Sequence, residues 1–508
     1  NMSPEELLRR LDDRLQVLGM SNRGAPSRQQ TLEALLDWSH RLLDENGRKL
    51  FRRLAVFTGG CTLEAAMHVC GDEEQLNEAV VGEALADLVS KSLVSEESAS
   101  SGTRYRMLEI TRIYAQGLLV ASDEFDAAAY AHVRFFTTLA LRFEGTLEAT
   151  PVTLWRNIVS MDGQNFRAAL SLAIDAGDVD SVGTICQALH YWLWEHGAVQ
   201  ASDLVRRIAA ILATTLRPSV EAPMRLALAS LVRRSDRTRA HEAARRSLDL
   251  YRALGDDIHV GDALRCTVAT ELETVSEPDP SLEGEMLRFI ETMLDLGSTL
   301  RAAELLNNLG VFYAQLLDDS RLPEALLCFE RAAALLEARG DADRCGRVIG
   351  NSAGIAFLLG DAELAARRSR RAVELFDRSE ESWSGGRQWA NHGYYLLACG
   401  RYDEARNALR RGIGVLRDLG DRVGLAGALE YMAQLYHRTG NDRLAARLIG
   451  FADVTFGPGV ARQAREAAML RDLLEAVRKN LGDEAFSAEA HRGAGSSVDD
   501  IVRAAESA

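Results

Sequence analysis

At 508 residues the chain is too long for a single hydrophobic core, so several domains or an extended repeat array are expected. Its 59 Lys and Arg against 74 Asp and Glu leave a net charge of −15, which disfavours nucleic acid and anionic membrane as partners of the whole chain. No apolar run approaches the ~18 residues of a membrane helix, and seven scattered cysteines without a CxxC pair argue against a disulfide framework or zinc site and for a cytoplasmic location. In chain order, Ser27-Arg28-Gln29-Gln30 reads as a capping box, opening a helix expected to bury Leu32, Leu35, Leu36, Leu42 and Leu43. A second helix runs through GRKLFRRLAVF and stops at Gly59-Gly60, Thr62 caps a third, and VGEALADLVSKSLV supplies a fourth. SLVSEES and TRYRML then read as two strands joined by the turn SASSG. Helices followed by a hairpin predict a winged-helix domain over residues 1–120. Its fourth helix sets Glu83 and Asp87 against a lone Lys91, where a major-groove helix needs donors, so direct nucleic-acid binding is not expected.

From residue 121 the pattern is helical throughout. A linker domain is expected over 121–214, with AAAYAHVRFFTTLALRF, NFRAALSLAIDAGD and the aromatic cluster HYWLWEHG. Over 215–480 the chain repeats, ahead of a helical tail at 481–508. LGD-like turns recur at Gly255, Gly297, Gly340 and Gly420, spaced by 42, 43 and 80 residues. A small residue and a large one sit three apart in each period: Gly310 and Tyr313, Gly354 and Phe357, Gly393 and Leu396, Ala433 and Tyr436. An alanine follows on the partner helix at Ala325, Ala365, Ala405 and Ala445. Two helices approach closely only where both carry small side chains, and the pattern resembles tetratricopeptide repeats with longer helices. The fold class expected is therefore mainly α, a winged helix followed by an α-solenoid of tetratricopeptide-like hairpins.

Chemistry is sparse. There is no GxxxxGK[ST], HExxH or GxSxG, and GNSAGIAFLLG lies at a repeat's small position with no lysine after it. His190, His196 and His392 lie near aromatics without a second ligand at i+3 or i+4. The arginine-rich stretch 217–246 and RRSRR, Arg367 to Arg371, read as solvated helix faces. No catalytic residue, metal site or cofactor is expected within the chain, which is read as no enzyme. A partner groove would lie on the concave face of the superhelix, where the tetratricopeptide resemblance places Asn307, Asn351, Arg387, Tyr394, Glu430, Gln434 and His437. Asn307 and Asn351 are read as occupying one repeat position, suited to an extended partner. Of the adjacent Tyr394 and Tyr395, one belongs to the core.

Several stretches carry a family resemblance in order: RLDDRLQVL, SRQQTLEALLDWSHRLLDENGRKLFRRLAVFTGGCTLEAA, LADLVSKSLV, YRMLEITRIYAQGLL, WRNIVSMDGQNFRAALSLAIDAGD, ARLIGFAD and LGDEAFSAEAHRGAGSSVDDIVRAA. The chain resembles the C-terminal part of bacterial signal-transducing ATPases of the STAND class, in which an NB-ARC-type nucleotide-binding domain precedes a winged helix and helical repeats. That resemblance, with a first residue Asn1 rather than Met, implies a chain cut at its front, with ATP or ADP held by the missing domain. In NB-ARC relatives the winged-helix strand end carries a Met-His-Asp motif whose histidine touches ADP. Here Met107, Leu108 and Glu109 stand there, and Leu108 cannot donate to a phosphate. The implied function is the regulatory half of a cytoplasmic ATP-dependent regulator of transcription, with the missing nucleotide-binding domain and a protein or small-molecule signal as partners and no membrane contact. The alternatives are a stand-alone scaffold of tetratricopeptide repeats and the sensor region of a nucleotide cyclase.

Overall fold

A computed structural model describes residues 35–72, 76–99, 102–146, 152–196, 202–214, 216–233, 235–274, 279–316, 318–378, 385–456 and 464–506. The capping box at Ser27–Gln30 and Leu32 lie outside them. The chain forms two compact units, Asn1–Asp256 and Asp257–Ala508. It is mainly α-helical, a winged helix followed by tetratricopeptide-like hairpins.

In the first unit residues 35–41 are helical, and Leu36 and Leu43 are buried as expected. Leu35 and Leu42 are not: they are 54% and 53% exposed, and Trp38 between them is 62% exposed. The leucine-rich run offers two stripes at helical spacing, and only the one through Leu36 faces the core. Asp44 caps α1 (Glu45–Arg53), accepting from the Gly47 amide at 2.7 Å. A 3-10 turn, Leu54–Val56, continues the chain to Gly59-Gly60. Gly60 has φ +73°, and a Cβ there would lie 2.6 Å from the Tyr105 carbonyl oxygen, so the stop needs glycine. Thr62 caps α2 (Leu63–Cys70), accepting from the Ala65 amide at 3.2 Å, and Asn77 caps α3 (Glu78–Ser90). The wing is β1 (Ser95–Ala99) paired antiparallel with β2 (Gly102–Arg106), Glu97 opposite Arg104. Cys61 adds a bridge to Tyr105, its amide and carbonyl each 2.8 Å from their partners. No strand follows β2 among the described residues. Helices α4 (Glu109–Ala121), α5 (Phe125–Thr146), α6 (Val152–Asp175), α7 (Val179–His196), α8 (Ser202–Leu212), α9 (Pro218–Val232) and α10 (Arg237–Leu254) complete the unit.

The second unit runs α11 (Asp257–Thr274), α12 (Ser281–Asp295), α13 (Thr299–Gln315), α14 (Leu322–Ala338), α15 (Ala342–Leu358), α16 (Ala362–Asp377), α17 (Gly385–Ala398), α18 (Tyr402–Asp418), α19 (Arg422–Arg438) and α20 (Asp442–Phe456). It closes with α21 (Ala464–Leu481), α22 (Asp483–Ala494) and α23 (Val498–Glu506). The recurring Gly-Asp dipeptide explains the hairpin turns. Gly340, Gly360 and Gly420 end one helix in the left-handed region. The next residue caps the following helix: Asp341, Asp361 and Asp421 accept from the amides of Arg344, Leu364 and Gly424. No helix among the described residues is long and apolar enough to cross a membrane.

Helix pairs close on small residues where the sequence placed them, with one exception. Ala325, Ala365, Ala405 and Ala445 are fully buried. A Cβ on Gly310 would lie 2.7 Å from the Phe329 ring, and one on Gly393 would lie 2.6 Å from Leu409 Cγ. In the intervening hairpin the buried pair is Ala353 and Ala356, at 0% and 1% exposure, rather than Gly354 and Phe357. Gly354 meets only the Tyr395 hydroxyl, at 3.5 Å. The expected register was one residue late there, because GNSAGIA offers small residues on adjacent faces. At Gly393 the contact gives a sharp expectation. Leucine there must push α18 outward, at a cost of ~1–3 kcal/mol or more, whereas Arg401→Ala loses only an exposed pair with Glu404. Thermal melting should show a large drop for the first and almost none for the second.

Candidate functional site

The first helices of successive hairpins, α13, α15, α17 and α19, carry a seam of polar and aromatic contacts that runs from each to the next. Asp262 on α11 takes a two-pronged hydrogen bond from Arg301 at 2.9 and 3.0 Å, with both side chains buried. Glu304 pairs with Arg344 at 3.0 Å and Arg347 at 2.5 Å. Burial alone would raise the Glu304 carboxyl, but the guanidiniums of Arg347, Arg344 and Arg265 outweigh it and hold the group below its ordinary range. Asn351 donates to Asn307 at 2.9 Å, and Asn308 donates to the Arg265 carbonyl at 2.9 Å. Farther along, Arg387 grips Asp421 at 2.9 Å. Tyr394 stacks on Tyr431 with centroids 4.7 Å apart and touches Phe357 at 5.1 Å.

The expected groove residues divide by exposure. Asn307 and Glu430 are 7% exposed, and the Asn307 amide bonds within the seam. Asn351, Tyr394, Gln434 and His437 are half-buried and Arg387 is exposed, so these five keep some surface open. His437 bonds Asp442 at 2.6 Å, on the following helix. Of the tyrosine pair, Tyr395 is the core residue, at 7% exposure. Asn307 and Asn351 do not share a repeat position. Counted back from the close-packing small residues Gly310, Ala353 and Gly393, Asn351 matches Asn308, and the next repeat places Asn391 there. Glu304, Arg344, Arg347 and Tyr431 were missed, although the 43-residue spacing of Glu304 and Arg347 was available as a signal.

A second constellation ties the wing to α6. Arg104 is 5% exposed and donates to the carbonyls of Gly59 at 3.1 Å, Gly60 at 3.2 Å and Met161 at 3.0 Å, and to Asp162 at 2.6 Å. Asn165, fully buried, donates to the Gly60 carbonyl at 2.8 Å and to Asp162 at 2.9 Å, and accepts from the amides of Thr58 and Gly59. The run MDGQN thus holds the Gly59-Gly60 stop and the wing in one network. At the strand-to-helix joint, Leu108 is 74% exposed and caps α4 without a side-chain bond. Glu109 is held by Arg112 at 2.7 Å, and that hydrogen bond lowers its carboxyl below the usual range. Ile110 is 56% exposed, and Leu108, Ile110, Leu35, Trp38 and Leu42 are among the large apolar side chains left open on this domain. On α3, Glu78 and Glu83 are exposed and Lys91 pairs with Asp87.

A winged helix-turn-helix domain model matches residues 43–120. Inferred HTH-type transcriptional regulators of Mycobacterium tuberculosis and Mycobacterium bovis are 45% identical over 140 residues, 28% of this chain and 16% of theirs. Uncharacterized proteins of the same two species are 37% identical over 126 residues, 25% of this chain and 32% of theirs. The chain therefore matches no more than 32% of the length of these relatives. Among solved structures, the STAND protein with a tetratricopeptide repeat sensor from Pyrococcus horikoshii aligns with TM-score 0.53 at 14% identity, covering 96% of this chain and 68% of that one. That is a likeness of fold. The resemblance drawn from the sequence, a winged helix and tetratricopeptide-like hairpins in STAND order, is met by these findings. The helix-turn-helix match stands against the expectation of no nucleic-acid contact, since that architecture commonly sets a helix in the major groove.

Proposed function

We propose that the chain is the regulatory region of a larger, ATP-dependent regulator of transcription, in which the helical hairpins receive a protein or small-molecule signal and the winged helix passes it on. The observation that carries this reading is the Arg104–Asp162–Asn165 network. It fastens the winged helix to the helical region that follows, so a displacement of α6 must strain the wing. The regulatory names of the mycobacterial relatives support the role in transcription. The open apolar side chains beside the strand-to-helix joint support a domain packing there, and a nucleotide-binding domain is the occupant this reading assigns. The chain itself is proposed to bind neither ATP nor ADP, because no glycine-rich phosphate cradle is present and an apolar side chain stands at Leu108. Calorimetry should show no saturable ATP or ADP binding, and micromolar affinity for either would overturn that part of the reading.

The helix-turn-helix match favours a second reading, in which the winged helix itself touches DNA. The acidic face of α3 opposes it. Titration with duplex DNA at low and moderate salt separates the two, because phosphate contacts weaken steeply as salt rises. Saturable, salt-sensitive binding would favour the second reading; no binding at low salt would leave the winged helix as a transmitting module.

A further inference from the structure

On the side of the hairpins away from the polar seam, the second helices α16 and α18 part over α17 to leave a cavity of about 460 Å³, within the ~300–1,000 Å³ of small-ligand sites. Its lining includes Arg367, Arg370, Arg401, Arg411, Trp389 and His392, with Glu374 and Glu404 as its carboxylates. Arg370 pairs with Glu374 at 3.1 Å and Arg401 with Glu404 at 2.6 Å. Arg411 lies over the Trp389 ring at 4.4 Å and pairs with Asp377 at 2.9 Å. Arg367 makes no ion pair among the described residues. In a chain of charge −15, the cavity lining is net positive.

His392 gives the cavity its polarity. It is 7% exposed, and its Nδ1 lies 2.8 Å from Ser369 Oγ. The Ser369 hydroxyl donates its single proton to the Ala366 carbonyl at 3.0 Å. With that proton so placed, the tautomer that donates from Nδ1 to Ser369 leaves Nε2 an acceptor on the cavity side. Burial, then the guanidiniums of Arg401 and Arg370, push the imidazole down to about 4, so it stays neutral near pH 7. An acceptor open to the cavity takes a hydrogen bond from a donor on whatever occupies it.

We propose that this cavity binds a small hydroxylated anion, a phosphate ester or hydroxy acid, whose anionic group sits among Arg367, Arg370 and Arg401 and whose hydroxyl donates to His392 Nε2. Guanidinium forks match either anion bidentately. The site is independent of the seam and its partner. Calorimetry on the purified chain with glycerol 3-phosphate and with glycerate separates the two anion types, and sulfate, which carries no donor, is the control. At least one hydroxylated anion should bind saturably, roughly tenfold more tightly than sulfate. The exposed double variant Arg367→Gln/Arg401→Gln should weaken that binding roughly tenfold or more without moving the ligand-free melting temperature. His392→Gln should erase the preference over sulfate; if it does not fold, the arginine variant decides. No saturable binding of either hydroxylated anion, equal binding of sulfate, or unchanged binding by the arginine variant would overturn the proposal.

Discussion

Gly450→Ala is expected to destabilise the second unit severely, although it adds one methyl group. In α20 a Cβ at Gly450 would lie 2.0 Å from the Ala490 carbonyl oxygen of α22. Across the same crossing, one at Gly493 would lie 1.8 Å from the Arg447 carbonyl oxygen. Backbone meets backbone from both sides, so no side chain can give way and the helices must separate. Separation would also strain the pair Arg447–Glu489, at 2.7 Å, and the Tyr436 hydroxyl bond to the Ala505 carbonyl, at 2.6 Å. The cost should be about 3 kcal/mol or more, lowering the melting temperature by on the order of 5 °C or more. The control is the same substitution at Gly427 in α19, where a Cβ would meet nothing within 4 Å. Alanine there should stabilise by about 0.5–1 kcal/mol, because helical glycine carries an entropic penalty. Melting curves that moved the same way for both variants would refute the crossing.

The second large effect is expected at Asp162. Asp162→Ala leaves the Arg104 guanidinium buried with three carbonyls and no carboxylate. Breaking a buried ion pair from one side costs about 3–5 kcal/mol; the carbonyls that remain favour the lower end. Asn165 would lose one of its bonds as well. Asp162→Asn keeps an acceptor oxygen and should lose less. Denaturant unfolding of the three proteins should rank the natural chain first, Asn second and Ala last. Equal stability of the Ala variant and the natural chain would mean that the network holds nothing.

Local chemistry made the turns legible. A glycine in the left-handed region followed by a capping aspartate is written within two residues, as at Gly340-Asp341. The close-packed positions were legible where one small residue stood alone, as at Gly393, and slipped where three lay together, as at Gly350, Ala353 and Gly354. The stripe through Leu35 and Leu42 misled because composition cannot tell a core face from an open one. The network of Arg104 and Asp162 was not legible, since its partners stand 58 residues apart and no periodicity joins them. The seam was only half legible for the same reason. Arg344 and Glu304 belong to no motif, and only the stacking of α13 and α15 brings them together. The motifs ARLIGFAD and AHRGAGSS marked a family resemblance; the Gly450–Gly493 crossing supplies a physical reason for both.

The central claim is that the second unit biases the state of the larger regulator. Deletion in that protein tests it, and the first unit dictates where to cut. Helix α9 packs against α7 and α10 against α9, so removal from residue 215 would strip the first unit, whereas removal of 257–508 takes the second unit alone. A ligand moves a two-state equilibrium from 1:99 to 99:1 only with roughly 5.5 kcal/mol of differential affinity, and a surface spread over several hairpins can supply it because many contacts change together. The measurement is reporter transcription by the full-length regulator and by the protein lacking 257–508, with and without inducer, alongside nucleotide binding by both. The account predicts that the truncated protein still binds ATP and gives an output that no longer depends on inducer. A truncated protein that folds, binds ATP and answers the inducer as before would contradict it.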